Sequence, residues 1–460
     1  MEKMLRGLTV VFLVLRNINF KGSQYCTVNP RNLCYTVLVS LLLWPGNAFA
    51  DGNVSAVPLT QEVKPSVATP PPAEEPSPGL LMSALGPLGL AKPLSKAGIN
   101  FYGYVQSGYM ADFTEHRKGP TYLGYDNFKN NLYLNKVSLN LERTVDPTKK
   151  KFDLGFRVEG IFGGDARFIH SNGLMDKQTG RYQWDLLQAY VDMALPYLPM
   201  KVRVGKWIEL AGFEHFSANI YGAFGDAMRA LYSYSYQFLY AEPGTQTGAL
   251  VTYVLNPKWT FDAGITRGWN QSIDDANHVP DFTGRVTYTP DDKTAVIFTT
   301  TEGPEFPIGA GRNLPAADRS HWWNYYDLVV TRKITDKLSL GTGLDYVQAS
   351  RIPGYSGGSK QFGGLTGYSS YSINSYFTLN TRAEWYADGS KGFSTGYVGG
   401  TNANYFGITQ GVAIKPFPKN KFLDRLILRP ELRYDFSDHS VFNNRSHNQL
   451  TFSTDMLFTF

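Results

Sequence analysis

Residues 152–159 read Phe152-Asp153-Leu154-Gly155-Phe156-Arg157-Val158-Glu159, so apolar side chains alternate with polar or small ones. Successive side chains of a β-strand point to opposite faces, and a period of two therefore predicts a strand with one apolar and one polar face. The same alternation returns from residue 99 to the end of the chain and predicts an all-β fold. Further examples are residues 136–142, 259–266, 338–345 and 428–435.

The connections between these segments indicate what surrounds the sheet. Short connections alternate with long ones that are polar or rich in glycine, and the chain ends in Phe458-Thr459-Phe460. Bacterial outer-membrane barrels have short periplasmic turns, long outer loops and aromatic residues at both membrane interfaces. We therefore predict a transmembrane antiparallel β-barrel with long outer loops and short periplasmic turns, with a soluble secreted β-protein as the alternative. The long connections are residues 113–131, 163–182, 208–243, 270–280 and 303–321.

The number of strands can be checked against the rule for such barrels. A first pass finds fifteen alternating segments, whereas a single-chain bacterial barrel has an even number of strands. Two glycine-rich connections, residues 351–363 and 388–403, would then follow each other on the outer side. Both conflicts disappear if residues 364–387 form two strands with a tight turn near Asn374. The prediction is about 16 strands, a size that leaves an aqueous lumen.

The N-terminal part of the chain is unlike the rest. Residues 1–50 contain basic residues, then an apolar run, and end in Ala48-Phe49-Ala50. This order is typical of a cleaved secretory signal peptide. Residues 51–98 are rich in proline and predict a flexible periplasmic segment. The outer-membrane β-barrel domain is expected at residues 99–460.

Charge and cysteine content exclude several classes of function. The chain has 44 Lys and Arg against 39 Asp and Glu. Five of those basic residues and one acid lie in the predicted signal peptide, so the mature protein is nearly neutral and a nucleic-acid partner is not expected. Cys26 and Cys34 are the two cysteines of the chain, and both lie in the same segment. A disulfide or a catalytic thiol in the mature protein is therefore not expected.

Four stretches resemble the OmpL-like outer-membrane β-barrel porin family, in the same order along residues 99–460. The most specific are Arg382-Ala383-Glu384-Trp385-Tyr386 and Arg429-Pro430-Glu431-Leu432-Arg433-Tyr434-Asp435. The other two are residues 248–253 and 264–270. The resemblance implies a porin in the bacterial outer membrane and names no solute. By analogy with general porins, it suggests a homotrimer and recognition of Phe460 by the barrel-assembly machinery.

The polar face of each strand must look into the lumen, because lipid surrounds a membrane barrel. Acidic and basic residues on this face are nearly balanced, so weak ion selectivity is expected. Alternating charges on the last strands favour either a transverse field acting on solutes or cross-strand pairing that holds the wall together. The predicted pore-lining residues are Lys136, Arg157, Glu159, Lys201, Arg203, Asp262, Asp345, Arg382, Glu384, Arg429, Glu431, Arg433 and Asp435.

The connection at residues 208–243 is the longest and the least polar. Such a loop is not expected to extend freely into water. By resemblance to general porins, the third outer loop folds into the barrel and narrows it. We therefore predict that Glu209, Glu214 and Arg229 line a constriction, beside the tyrosines of residues 232–236. An outer lid or a subunit-contact loop is the alternative.

Together these patterns predict passive diffusion of small hydrophilic solutes, with outer-membrane lipid as the surrounding partner and no cofactor or metal. A barrel hydrolase is one alternative, because His215 lies close to Ser217. However, closeness in sequence within a loop is weak evidence for a catalytic site, because a nucleophile also needs a rigidly held base. A barrel-anchored surface binding or adhesion protein is the other alternative.

Overall fold

A computed structural model describes residues 79–114, 125, 129–216, 230–275, 277–305, 322–350, 358–396, 401–442 and 446–460. The predicted signal peptide and residues 51–78 lie outside the described residues. Four short helices are present in the described part: α1 (Leu80–Ala84), α2 (Ala91–Lys96), α3 (Ala166–Ile169) and α4 (Tyr236–Tyr240). None of them is long and apolar enough to cross a membrane.

Strands account for most of the described residues and alternate with short and long connections, as the sequence predicts. They are β1 (Asn100–Asp112), β2 (Leu132–Arg143), β3 (Asp153–Gly163), β4 (Gln183–Ala194), β5 (Met200–Ile208), β6 (Thr245–Asn256), β7 (Trp259–Thr266), β8 (Asp281–Asp291), β9 (Thr294–Pro304), β10 (Trp322–Lys333), β11 (Leu338–Ala349), β12 (Lys360–Ser372), β13 (Phe377–Asp388), β14 (Ala403–Ile414), β15 (Leu426–Leu428), β16 (Glu431–Ser437) and β17 (Asn448–Thr459).

The sheet closes on itself. Each strand pairs antiparallel with its neighbours, and β1 pairs with both β2 and β17. At this closing seam, the backbone N–H of Phe460 donates to the carbonyl of Gly103 at 2.8 Å, and the N–H of Gly103 donates back at 2.8 Å. A closed barrel leaves no unpaired strand edge, which is the condition for spanning a bilayer with β-structure.

Seventeen strand segments make a barrel of sixteen strands. Both β15 and β16 pair with β14 on one side and with β17 on the other. They are one strand interrupted at Arg429 and Pro430. Proline has no N–H to donate to a sheet, so it breaks the ladder locally. The predicted count of about sixteen strands is confirmed.

The predicted division of residues 364–387 is also confirmed. Strand β12 ends at Ser372 and β13 begins at Phe377. The Asn374 side chain accepts hydrogen bonds from the backbone N–H groups of Tyr376, at 2.8 Å, and Phe377, at 3.1 Å. An asparagine that bonds to backbone two residues ahead favours a tight turn, and this explains why two long strands fit here.

The distribution of apolar and polar side chains between the two faces of the sheet is opposite to that of a soluble β-protein. Apolar side chains such as Leu139, Val158 and Leu432 are exposed on the outer face, whereas their polar neighbours Asn140 and Glu159 are buried on the inner face. A barrel in lipid requires this arrangement, because bilayer tails rather than protein cover the apolar face. The packed core therefore lies inside the barrel, where side chains from the strands meet the connection between β5 and β6.

Candidate functional site

The connection between β5 and β6, residues 208–243, is called loop 3 here. Its described parts are residues 209–216 and 230–243. Aromatic side chains of loop 3 are fully buried, among them Phe216 and Tyr236. The following contacts join loop 3 to strands on several sides of the barrel.

Strand β13 holds loop 3 through two charged side chains. The Arg382 guanidinium donates to the Ser233 carbonyl at 2.6 Å and forms an ion pair with Glu214, with a distance of 2.9 Å from Nη1 to Oε1. The Glu384 carboxylate accepts from the backbone N–H of Tyr236 at 2.6 Å. Bonds between charged side chains and backbone groups are stronger than neutral ones. They fix the main chain of loop 3 and not only its side chains.

Strand β16 adds a parallel set of contacts. The Glu431 carboxylate accepts from the backbone N–H groups of Tyr232 at 2.8 Å and Ser233 at 3.1 Å. Arg433 donates to the Tyr234 carbonyl at 2.6 Å, and Asp435 accepts from the Tyr236 hydroxyl at 2.8 Å. We call Arg382, Glu384, Glu431, Arg433 and Asp435 the charge ladder.

A lysine on β2 adds a further attachment. Lys136 of β2 donates to the Phe216 carbonyl at 2.8 Å, and its ammonium lies 3.4 Å from the centre of the Phe216 ring. A cation over an aromatic face is attractive, more so when it is desolvated. Loop 3 begins at the end of β5 and is held on β13, eight strands away around a barrel of sixteen, so it crosses the interior.

Inward-facing glycines provide space for the side chains of loop 3. A Cβ added to Gly411 would lie 2.6 Å from Leu231 Cδ2, and one added to Gly341 would collide with the Phe213 ring. Phe213 also stacks on Tyr368, with a distance of 3.9 Å between ring centres. Strand interiors disfavour glycine unless another group approaches closely. These glycines mark where loop 3 meets the wall.

The two ends of loop 3 meet a group of carboxyl groups that has few basic partners. Glu209 and Glu242 come from the two ends of loop 3. Asp327 of β10 and Asp345 of β11 stand directly beside each other on neighbouring strands. We call these four residues the carboxyl cluster. All four have carboxylate oxygens that are buried without a hydrogen-bond donor in the part of the chain that the structure describes.

Burial raises the pKa of Glu242 well above its ordinary value, and the nearby carboxylates of Asp345 and Asp327 raise it further. Burial also raises the pKa of Glu209, although His215, 3.7 Å away, opposes this. Glu242 lies close enough to Asp345 for the two carboxyl groups to repel each other when both are charged. Neighbouring carboxyl groups can share protons, because two like charges at this separation repel strongly. Burial and mutual repulsion therefore favour the protonated forms of Glu209 and Glu242.

Basic side chains on β5 and β8 are less covered than the charge ladder, and they pair with carboxylates on β4 and β7. Asp192 accepts from Arg203 at 2.8 and 2.9 Å and from Lys201 at 2.9 Å. Asp262 accepts from Arg285 at 2.9 Å. These basic side chains keep part of their surface accessible to water. We call these five residues the basic wall.

Comparison with known proteins assigns the family. The family described as "Putative beta-barrel porin-2, OmpL-like" matches residues 98–460. This chain belongs to the OmpL-like β-barrel porins. The family predicted from the four sequence stretches is thus confirmed, and the protein is an outer-membrane porin.

Solved structures of other porins share the barrel of this OmpL-like porin. An anion-selective porin from Comamonas acidovorans is 10% identical, with a TM-score of 0.51, over 79% of this chain and 99% of that one. The outer-membrane channel DcaP of Acinetobacter baumannii is 11% identical, with a TM-score of 0.51, over 79% of this chain and 98% of that one. At such low identity the likeness concerns the fold alone. A search of curated proteins finds no match.

The structure of this OmpL-like porin places the predicted site residues in four groups. The charge ladder, Arg429 and Lys136 contact loop 3, and Arg429 donates to the Leu231 carbonyl at 3.2 Å. Asp345 belongs to the carboxyl cluster, whereas Lys201, Arg203 and Asp262 belong to the basic wall. Arg157 and Glu159 pair with each other at 2.9 Å on β3. Arg229 lies outside the described residues, as does Ser217.

Several charged residues of the interior were not among the predicted ones. Arg285 and Asp192 could have been found, because both stand at inward positions of alternating strands, as Asp262 does. Glu242 gives no such signal, since it lies in an irregular segment. No group of three or more His, Cys, Asp or Glu side chains within the described ranges is arranged to hold a metal ion.

Proposed function

We propose that this porin is a water-filled channel through which small hydrophilic solutes and ions diffuse passively, and that loop 3 narrows it. The mechanism needs no cofactor and no covalent step. The attachment of the main chain of loop 3 to the charge ladder carries the proposal. A sixteen-strand barrel is wide enough for an aqueous lumen, and a loop fixed across it reduces the free cross-section.

In this proposal the charge ladder serves mainly to hold loop 3. Its side chains are buried and are engaged by the loop, so they have little contact with passing solutes. Glu214 acts in the same way through its ion pair with Arg382, and Glu209 acts through the carboxyl cluster. The constriction role of Arg229 rests on the sequence alone.

Removal of one side chain that holds loop 3 tests whether the loop narrows the channel. Arg382→Gln deletes the ion pair with Glu214 and weakens the bond to the Ser233 carbonyl. Loss of one partner of a buried charge pair costs about 3–5 kcal/mol, enough to release this part of loop 3. We expect single-channel conductance in a planar bilayer to increase and to fluctuate more.

Arg332→Gln is the matched control, because Arg332 is exposed at the short-turn end of β10. Both variants lose one arginine, but only Arg382 contacts loop 3. Identical conductance of wild type and Arg382→Gln, from barrels that remain folded by heat-modified gel mobility, would contradict a constricting loop 3.

The targeting and assembly of the chain are part of the proposal. We propose that residues 1–50 are a signal peptide removed on export and that residues 51–98 lie in the periplasm. Phe460, which closes the seam with β1, is proposed as the signal for the barrel-assembly machinery. A homotrimer is proposed as the assembled form, and a cross-linked species of three times the monomer mass is the expected result. A single monomeric species after cross-linking in membranes would contradict it.

A further inference from the structure

We propose that the basic wall makes the channel prefer small anionic solutes, such as carboxylates and phosphates. This inference rests on the proposed function and adds a substrate class to it. The argument depends on which interior charges keep contact with water. The charge ladder and the carboxyl cluster are covered by loop 3, so their influence on a dissolved ion is reduced.

The accessible charges of the basic wall are mostly cationic. The side chains of Lys201, Arg203 and Arg285 are 21%, 17% and 30% exposed. Their acidic partners Asp192 and Asp262 are 6% and 1% exposed. A passing solute therefore meets the ammonium and guanidinium groups before it meets the carboxylates.

The hydrogen bonds explain this difference in exposure. Asp192 is enclosed by two donors from Arg203 and one from Lys201. Asp262 is enclosed by Arg285 and by the Thr252 hydroxyl, which donates at 2.5 Å. Each carboxylate thus has hydrogen-bond donors close to the barrel wall, whereas the long basic side chains extend further into the lumen. Three cations and two carboxylates give the basic wall a net charge of one.

The neighbouring strands do not reverse this balance. Glu142 of β2 keeps partial exposure, but it accepts from the Tyr102 hydroxyl at 2.6 Å and stands opposite Arg157 in the sheet. Arg143 and Asp153, closer to the short turns, form an exposed ion pair at 2.8 Å whose charges cancel. Low-dielectric walls lined by one sign of charge raise the local concentration of the opposite ion. The path along β4–β8 therefore favours anions.

The reversal potential of the full-length mature protein in a planar bilayer tests this. A potassium chloride gradient reaching about 0.1 M keeps the Debye length near 10 Å, so wall charges are not fully screened. For the wild-type channel we expect a reversal potential whose sign shows that chloride permeates more readily than potassium. The combined Lys201→Gln, Arg203→Gln and Arg285→Gln variant is expected to shift it toward the cation side. A wild type without anion preference, or no shift in a folded triple variant, would overturn the inference.

A matched control removes the same charge elsewhere. Lys92→Gln, Lys96→Gln and Lys149→Gln delete three exposed lysines outside the barrel wall, and this variant is expected to keep the wild-type reversal potential. An equal shift in the control would mean that overall charge, and not the basic wall, sets selectivity.

A flux measurement covers the case in which the triple variant does not fold. Proteoliposomes with wild-type protein are expected to swell faster in a small carboxylate such as lactate than in an organic cation of similar size. Equal rates would overturn the anion preference. No current and no swelling at all would overturn the proposed function instead, so the two failures can be told apart.

Discussion

At the scale of single residues, the inner face of the wall combines charges that bind loop 3 with glycines that make room for it. Gly341 shows this most clearly, because its missing side chain leaves space for the Phe213 ring. Tyr368, which stands beside Gly341 on the neighbouring strand, provides the ring on which Phe213 stacks. The ring is therefore packed against both residues.

Gly341→Ala is therefore expected to overpack the site. Extra methyl groups in a packed interior cost about 1–3 kcal/mol, and here they would push Phe213 and loop 3 away from the wall. We expect a lower unfolding temperature in detergent and altered conductance. Gly367→Ala is the control, since an added Cβ there meets its nearest atom, the Ala383 carbonyl oxygen, at 3.9 Å. Equal effects of the two substitutions would show that the contact with Phe213 is unimportant.

At the scale of elements, loop 3 is held both by ion pairs and by a group of buried carboxyl groups that repel each other when they are charged. The carboxyl cluster joins both ends of loop 3 to β10 and β11. Asp327 also accepts from the Gly212 N–H at 3.0 Å, and Asp345 accepts from the Tyr325 hydroxyl at 3.2 Å. The nearby groups of opposite charge are His215 and Lys136. The acids outnumber these bases.

The attachment of loop 3 should therefore depend on pH. The pKa of Glu242 is raised on folding, so the folded state binds its proton more tightly than the unfolded state does. Its stabilising contribution is complete below the unfolded pKa of about 4.3 and is lost as the pH rises through the folded pKa. We expect the unfolding temperature to fall, and conductance noise to grow, as the pH rises through this window.

Glu242→Gln keeps the shape of the side chain and removes its titration. This variant is expected to flatten the pH dependence and to stabilise loop 3 at high pH. Glu302→Gln, on the outer face of β9, is the control and should retain the wild-type dependence. If Glu242→Gln titrates like wild type, the carboxyl cluster does not control loop 3.

At the scale of the whole molecule, the barrel depends on closure between its first and last strands. Ser107 of β1 stands directly opposite Met456 of β17. Directly opposite residues of antiparallel strands have Cα atoms about 4.5–5.5 Å apart, within the range that a disulfide spans. The predicted mature chain contains no cysteine, so introduced pairs report on this seam without interference.

Ser107→Cys with Met456→Cys is therefore expected to form a disulfide across the seam on oxidation. The disulfide closes most of the chain into a ring, so the oxidised protein should migrate differently from the reduced protein on a denaturing gel. Addition of reductant should restore the mobility of the reduced protein. Ser107→Cys with Ser453→Cys is the control, because Ser453 pairs with Met110 and lies three residues out of register. Efficient cross-linking of the control, or none in the matched pair, would contradict the observed register.

The sequence by itself determined the barrel, its strand count, its family and the inward position of residues such as Arg382 and Asp262. These properties follow from the period of two, which is local, and from the lengths of the connections. Only the tertiary structure decided which inward charges loop 3 covers and which remain on the basic wall. Contacts such as that of Glu431 with Tyr232 join residues far apart in the chain, and no local pattern encodes that distance. The same holds for Glu242, whose surroundings exist only once loop 3 has folded into the barrel.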